Sequence, residues 1–346
     1  MTASDEFKDP VLRDFFVTKD GLIFSVTDYF HPPKGIRSIL RYVPDENGAR
    51  IRKKDGLKYR KAEFDESFEY LKKHHPDWPA EVAVVPRSEI AEILKPGDAV
   101  SEILSGVRPF RAAEELIRRL ESAGVPISAM GISGSLLPGL ENEESDVDFV
   151  VFGPDWFKAK KALAEMKQKD DADGADDADG AAFRYKISEL DDNMWRTVYK
   201  KRKSPLRFED FHAHEIRKGN RGMFTDKEGG KSIYFDLLFV RSSEQIKEPI
   251  RRGTDTGNIQ IEAVITDAAF AFDSPAIYLT DHDEISEIYS YTHTYAGQAL
   301  LGETVRARGM VEVIGSRKRL VVGTSREARD EWMISMTLLE NLGKKE

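Results

Sequence analysis

Two apolar runs of strand length, each broken by acid, constrain this chain more than any other feature of its 346 residues. The first lies in residues 130–153, MGISGSLLPGLENEESDVDFVVFG, where Asp146 and Asp148 stand at the head of an apolar run. Alternate residues of a strand project to one side, so these two carboxylates point together while Val147 and Phe149 face away. Adjacent carboxylates repel, and burying each without a partner costs on the order of several kcal/mol. A divalent cation is the natural partner, because hard cations take oxygen ligands. The second run, IYFDLLFV at 233–240, contains Asp236 as its sole charge. Strands this apolar are covered on both faces. A lone aspartate there is accounted for if this strand pairs beside the first and the three acids form one cation cage.

Gly134-Ser135, a spacer, Asp146-x-Asp148 and then Asp236 between apolar neighbours resemble the DNA polymerase beta-type nucleotidyltransferase superfamily. The wording GSLLPGL…SDVDFVVFG looks like an archaeal group within it. The motif covers 134–148 and Asp236, and the domain it implies spans about residues 105–250. Gly-Ser or Asp-x-Asp alone is a weak signal; their combination in this order, flanked by strand-like runs, is fairly specific. The resemblance implies transfer of a nucleotidyl group from a nucleoside triphosphate, ATP among the candidates, to an acceptor hydroxyl with release of pyrophosphate. It also implies Mg2+ (or Mn2+) held by Asp146, Asp148 and Asp236, with Asp236 serving as base to the attacking hydroxyl. Gly134 is expected to let the backbone approach the triphosphate, and Ser135 to offer a hydroxyl and an amide at a helix start. Many members carry a basic residue directly after Gly-Ser, whereas Leu136 and Leu137 follow here, so Lys218 and Arg221 are expected to contact the phosphates. Two other readings use the same residues differently. A nucleotide-sugar glycosyltransferase also holds a metal with Asp-x-Asp, and a non-catalytic nucleic-acid-binding protein would use the central domain only as a scaffold.

Hydrophobic content of 40% and charged content of 33% describe a soluble globular protein long enough for two or three domains. No run is long enough for a membrane span, and the acidic N-terminus lacks the order of a signal peptide. The absence of cysteine excludes disulfides, thiolate zinc sites and cysteine nucleophiles, and fits a reducing, cytoplasmic setting. A net charge of −9 argues against nonspecific nucleic-acid binding by the whole surface, though not against a local basic groove.

The expected class is α+β: a central nucleotidyltransferase-type mixed sheet with helices (105–250), an N-terminal αβ accessory domain (1–104) and a C-terminal small β-barrel with a closing helix (251–346). Within 1–104 the pattern predicts an antiparallel meander over 21–60, a helix over 63–75, then a short strand and a short helix before Pro96. Within 105–250 it predicts helices at 111–123, 136–140, 156–169 and 187–201 and strands at 127–132 and 146–152. Residues 170–182, DDADGADDADGAA, read as a flexible acidic loop. His31 reads as a turn residue, and His212, His214 and Glu215 as helix-surface residues rather than a metal cluster. After Thr254 five short strands suggest a small barrel resembling an OB-fold, followed by a helix over 325–342. Such barrels often bind single strands, which favours an RNA or DNA acceptor, with Tyr289, Tyr291, Tyr295, Arg306, Arg308, Arg317 and Lys318 as candidates.

Overall fold

The structure, a computed structural model, describes residues 9–142, 145–171, 183–324 and 330–343. Most of the expected acidic loop, 172–182, lies outside the described residues. The chain forms two compact units, Met1–Ser188 with Met223–Pro249 and Glu189–Gly222 with Ile250–Glu346. The expected boundary at 104/105 falls inside the first unit. No helix among the described residues is long and apolar enough to cross a membrane.

The first unit holds two sheets. The N-terminal one comprises β1 (Phe15–Thr18), β2 (Ile23–Val26), β3 (Ile36–Pro44), β4 (Arg50–Ile51), β5 (Lys58–Lys61), β6 (Ala83–Val85) and β7 (Ile90–Leu94). Their order is β4-β5-β3-β2-β1-β7, with β6 on β3. Helix α1 (Phe64–His74) contributes Leu71 to a core with Phe16, Phe24, Leu40, Val43 and Trp78. The short helix expected before Pro96 is instead β7, which pairs antiparallel with β1; an available sheet edge overrides a weak local preference.

Helix α2 (Pro96–Leu104) opens on its proline, and α3 (Arg111–Ser122) buries the stripe Ala113, Leu116, Ile117 and Leu120. Gly124, at φ 85°, ends α3. Then come β8 (Met130–Ile132), β9 (Val147–Phe152), α4 (Asp155–Asp171), β10 (Tyr185–Ser188), β11 (Arg221–Asp226) and β12 (Ser232–Val240). They form a mixed sheet of order β10-β11-β12-β9-β8, in which β12 and β9 run parallel and β8 is antiparallel to β9. On one face Val147, Phe149, Val151, Phe235, Leu237 and Phe239 are buried, and Trp156 of α4 meets Phe239 edge-on at 6.2 Å.

Two expectations fail at the end of α4. Asp170 is not loop: its carboxylate is buried, accepts from two nitrogens of Arg119 at 2.9 and 2.8 Å, and accepts from the Ile187 amide at 2.7 Å. The apolar stripe Trp156, Ala159, Leu163, Met166 reaches position 170 on the next step of the same spacing, so the helix carries this acid inward to the arginine. Ile187 consequently lies on β10, and the helix expected to begin there, α5 (Asp192–Arg202), starts later under an Asp191 cap that accepts from the Met194 amide at 2.8 Å.

The second unit contains α5, α6 (Phe208–Lys218), β13 (Thr254–Phe270), β14 (Ala276–Thr280), β15 (Glu287–Ser290), β16 (Thr304–Ile314), β17 (Arg317–Val322), β18 (Trp332–Ser335) and α7 (Met336–Gly343). Its ladder runs β13-β14-β15-β17-β16, and β16 pairs again with β13, so the pairing of these five strands returns to its start. The β15–β17 pair is parallel. Ile265, Tyr278, Ile288, Val305, Leu320 and Met333 belong to one buried cluster. Of the expected closing helix, 325–329 lie outside the described residues, and Trp332–Ser335 adds to β16 as a strand, so α7 begins only at Met336.

Candidate active site

Strand β9 is central to the site. On one side it lies in parallel register with β12, pairing Asp148 with Asp236 directly. On the other, the β8 ladder extends by a bond from the Ser133 amide to the Asp148 carbonyl, 2.9 Å, which brings the Gly134 turn beside Asp148. Asp146 stands exposed at the threshold of β9. The fold therefore brings Gly134 and Asp236, distant in sequence, beside Asp148, with Asp146 two residues before it on the approach to β9. The Tyr234 hydroxyl donates to Asp236 Oδ1 at 2.9 Å.

The same faces of β9 and β12 continue as Val150, Phe152, Leu238 and Val240, since alternate residues share a face. These join a buried cluster with Leu12 and Tyr29, with Val11 and Phe30 alongside. Burying side chains of this kind stabilises by roughly 1.5–3 kcal/mol each. The Ser133 hydroxyl donates to the Arg13 carbonyl at 2.9 Å, and the Arg241 amide to the Tyr29 hydroxyl at 2.9 Å. Residues 11–12, before β1, and 29–30, between β2 and β3, thus seal the apolar part of the face that also carries Asp148 and Asp236.

Gly134 has a specific reason to be glycine. Its φ is 65°, and a Cβ there would stand 2.1 Å from Asp148 Oδ2. The close approach is made to the carboxylate itself. The short helix expected at 136–140 is instead a series of turns, with Gly139 donating to the Leu136 carbonyl and Leu140 to that of Ser135; Ser135 is therefore not at a helix start. Pro138 and Gly139 do not continue a helix, and Arg108 pins the turn by donating to the Leu136 and Leu137 carbonyls.

Burial and neighbouring charges set the electrostatics of Asp148. Burial pushes the Asp148 carboxyl up to about 6; Arg13 opposes that shift, Asp146 and Asp236 add to it, and Arg41 opposes it. The Asp148 carboxylate makes no hydrogen bond or ion pair among the described residues. The buried Ser135 hydroxyl oxygen also lacks a partner. Half-buried acids beside an unsatisfied hydroxyl are the donor set a hard divalent ion and a phosphate chain complete. Among the described residues no three His, Cys, Asp or Glu side chains converge as a ready metal cluster. The register aligns Asp148 with Asp236 across the two parallel strands.

Lys218 and Arg221 do not fit the phosphate-binding expectation. Lys218 is 2% exposed, with its ammonium 2.6 Å from Glu215 Oε1 and 2.7 Å from the Thr294 carbonyl. Arg221 is buried and bonded to the other Glu215 oxygen. His214 and Glu215 are accordingly buried rather than on the helix surface, and the Ser335 amide donates to His214 Nε2 at 2.9 Å. His31 is the turn residue expected, with Nε2 2.7 Å from the Pro10 carbonyl and Nδ1 accepting from the Arg37 amide. Of the nucleic-acid candidates, Tyr295 is buried and donates to the Glu331 carbonyl, Tyr289 lies under Arg319, and Arg306, Arg308 and Lys318 pair with Glu262, Asp330 and Glu284.

Sequence reasoning missed the N-terminal sheet's part in the site. Arg50 of β4 donates to the Leu140 carbonyl and the Ser145 hydroxyl, both at 2.9 Å, fixing the chain just before Asp146. Tyr42, Arg41 and Arg13 lie within electrostatic reach of the acids. Arg41 and Tyr42 stand in IRSILRYV, where a basic residue inside a strand was the only trace.

A nucleotidyltransferase-domain family model matches residues 113–204, which include Gly134, Ser135, Asp146 and Asp148; Asp236 lies beyond it. An uncharacterized protein of Methanocaldococcus jannaschii is 36% identical, over 93% of this chain and 98% of that protein. No solved structure matches. The match sets aside the glycosyltransferase reading. With the Gly-Ser turn laid against the Asp-x-Asp strand, the chain belongs to the nucleotidyltransferase superfamily and is a transferase of nucleotidyl groups.

Proposed function

We propose that this protein moves a nucleotidyl group from a nucleoside triphosphate, ATP among the candidates, to an acceptor hydroxyl in a reaction dependent on Mg2+ or Mn2+. The observation that carries this reading is the direct register of Asp236 with Asp148, with Gly134 packed on the Asp148 carboxylate. Asp146, Asp148 and Asp236 would hold the metal, which supplies charge neutralisation and lowers the pKa of a bound hydroxyl. Asp236, oriented by the Tyr234 hydroxyl, takes the proton of the attacking hydroxyl. The acceptor oxygen forms a bond to the α-phosphorus as the bond to the bridging oxygen breaks, and pyrophosphate leaves with that electron pair. Ser135 offers its unsatisfied hydroxyl to a phosphate oxygen. Catalysis then rests on positioning and on charge neutralisation.

A nucleic-acid end is the acceptor this reading favours. The second unit's strand order, β13-β14-β15-β17-β16 returning to β13 with β15 and β17 parallel, supports a small OB-type barrel, a common single-strand binder. The test is to incubate the protein with each α-labelled triphosphate, Mg2+ or Mn2+, and separate RNA, DNA and protein pools, and to follow label into the acceptor. Transfer is expected from the wild type and not from Asp236→Asn. Undiminished transfer by that variant would remove Asp236 from the mechanism, and label appearing in protein alone would remove the nucleic-acid acceptor.

A further inference from the structure

A triphosphate brought against three carboxylates adds several negative charges to a site already short of positive ones. The turn that would deliver a cation from the Gly-Ser side carries Leu136 and Leu137, both buried. Lys218 and Arg221 are committed to Glu215. Among the described residues a positive charge reaches the acids from the N-terminal sheet. Strand β3 pairs with β2 as Ile23 with Tyr42 and Phe24 with Leu40, which leaves Arg41 as the extra residue of a β-bulge. Bulges re-aim a side chain relative to the regular alternation. The Arg41 guanidinium makes no hydrogen bond or ion pair among the described residues, and its charge acts on Asp148.

Arg13 lies in the turn before β1, against Ser133. Its backbone is left-handed, φ 73°, a conformation disfavoured for a side-chain-bearing residue. The segment is held there on both sides. Leu12 belongs to the apolar seal over Val150 and Val240, and the Arg13 carbonyl accepts from Ser133, the residue before the Gly-Ser pair. The Arg13 charge opposes burial at Asp148 more strongly than that of Arg41. Strained backbone that its surroundings hold in place clusters at ligand sites.

We propose that Arg13, in the turn before β1, and Arg41, of the sheet preceding the nucleotidyltransferase sheet, bind the phosphate chain of the incoming triphosphate, so that the N-terminal residues form one wall of the nucleotide site. The proposal rests on the carboxylate reading above for where the triphosphate lies. The two guanidinium groups neutralise the β- and γ-phosphates and make charge-assisted hydrogen bonds to them. The N-terminal sheet is then part of the active site.

Binding of inorganic triphosphate with Mg2+, measured by calorimetry on the full chain, tests this without knowledge of base or acceptor. Arg41→Gln and Arg13→Gln should each weaken binding by about tenfold or more. Arg41→Lys should recover part of the loss, and inorganic monophosphate affinity should change far less. Arg37→Gln, on the same strand as Arg41, is the control, because its guanidinium is paired with Asp28 and Glu81, and it should bind as the wild type does. Unchanged thermal midpoints in the variants exclude a folding defect. Wild-type affinity in both glutamine variants, or no binding by the wild type, overturns the proposal. If binding falls with Asp236→Asn but not with the arginine variants, the cation wall is wrong and the carboxylate reading stands. If it falls with the arginines but survives both Asp146→Asn and Asp236→Asn, the carboxylate reading fails and the wall stands.

Discussion

Asp148→Asn should stabilise the metal-free protein at alkaline pH while abolishing nucleotidyl transfer. The folded state raises this carboxyl from its ordinary 3.8 to about 6. A raised acid pKa means that the folded protein holds the proton more tightly than the unfolded chain. Ionisation therefore penalises the fold: the penalty is absent below about pH 4, grows as pH rises toward 6, and is complete above that. The difference of about two pKa units corresponds to about 3 kcal/mol at 1.36 kcal/mol per unit. Roughly two thirds of it falls between about pH 4.5 and pH 8, and partial solvent access reduces it further, leaving about 1–2 kcal/mol. Urea unfolding of wild type and variant in chelator at these two pH values measures it. The variant's advantage at pH 8 should exceed that at pH 4.5 by this amount, a comparison that cancels any pH-independent effect of the amide. Added Mn2+ at pH 8 should stabilise the wild type and erase the difference, because the cation partners only the carboxylate. A variant effect identical at both pH values would refute the claim that Asp148 is held ionised against its surroundings.

Ser135→Ala should leave the urea midpoint unchanged or slightly raised, because its buried hydroxyl has no partner to lose, while triphosphate affinity falls several-fold; a clear loss of stability would mean the hydroxyl is already satisfied. Gly134→Ala should destabilise by about 2–4 kcal/mol, combining left-handed backbone with collision against Asp148. Much of that loss should be relieved in a double variant with Asp148→Ala, and an additive cycle would contradict the contact. Glu215→Ala should cost about 3–5 kcal/mol in thermal or urea unfolding, since it strands the buried Lys218 and Arg221 charges. Removing Lys218 as well should restore part of that loss; no loss in the single variant would show that the ion triad is not structural.

The placement of the carboxylates was legible because the spacing that makes a strand also sets which side chains share a face. Asp146 and Asp148 share a face by alternation, and Asp236 stood out as a charge where a buried strand permits none, so the pairing of the two acidic strands could be expected from violations of pattern. The cation half leaves no such violation. Lys218 and Arg221 looked available because they precede the Asp236 strand, but position along the chain says nothing about Glu215, which buries both. Asp170 looked solvated because its neighbours are acidic, yet helical spacing carries it to Arg119, fifty-one residues away. Arg41 is hidden for a further reason: its placement depends on a register slip between β2 and β3, and a one-residue slip reverses which side of a sheet a side chain faces. Read by simple alternation from Leu40, Arg41 belongs with the partly exposed Arg37 and Ile39, as an ordinary surface residue. Acids announce themselves as misfits in apolar strands, whereas an arginine on a partly exposed strand position reads as surface whatever the fold later sets beside it.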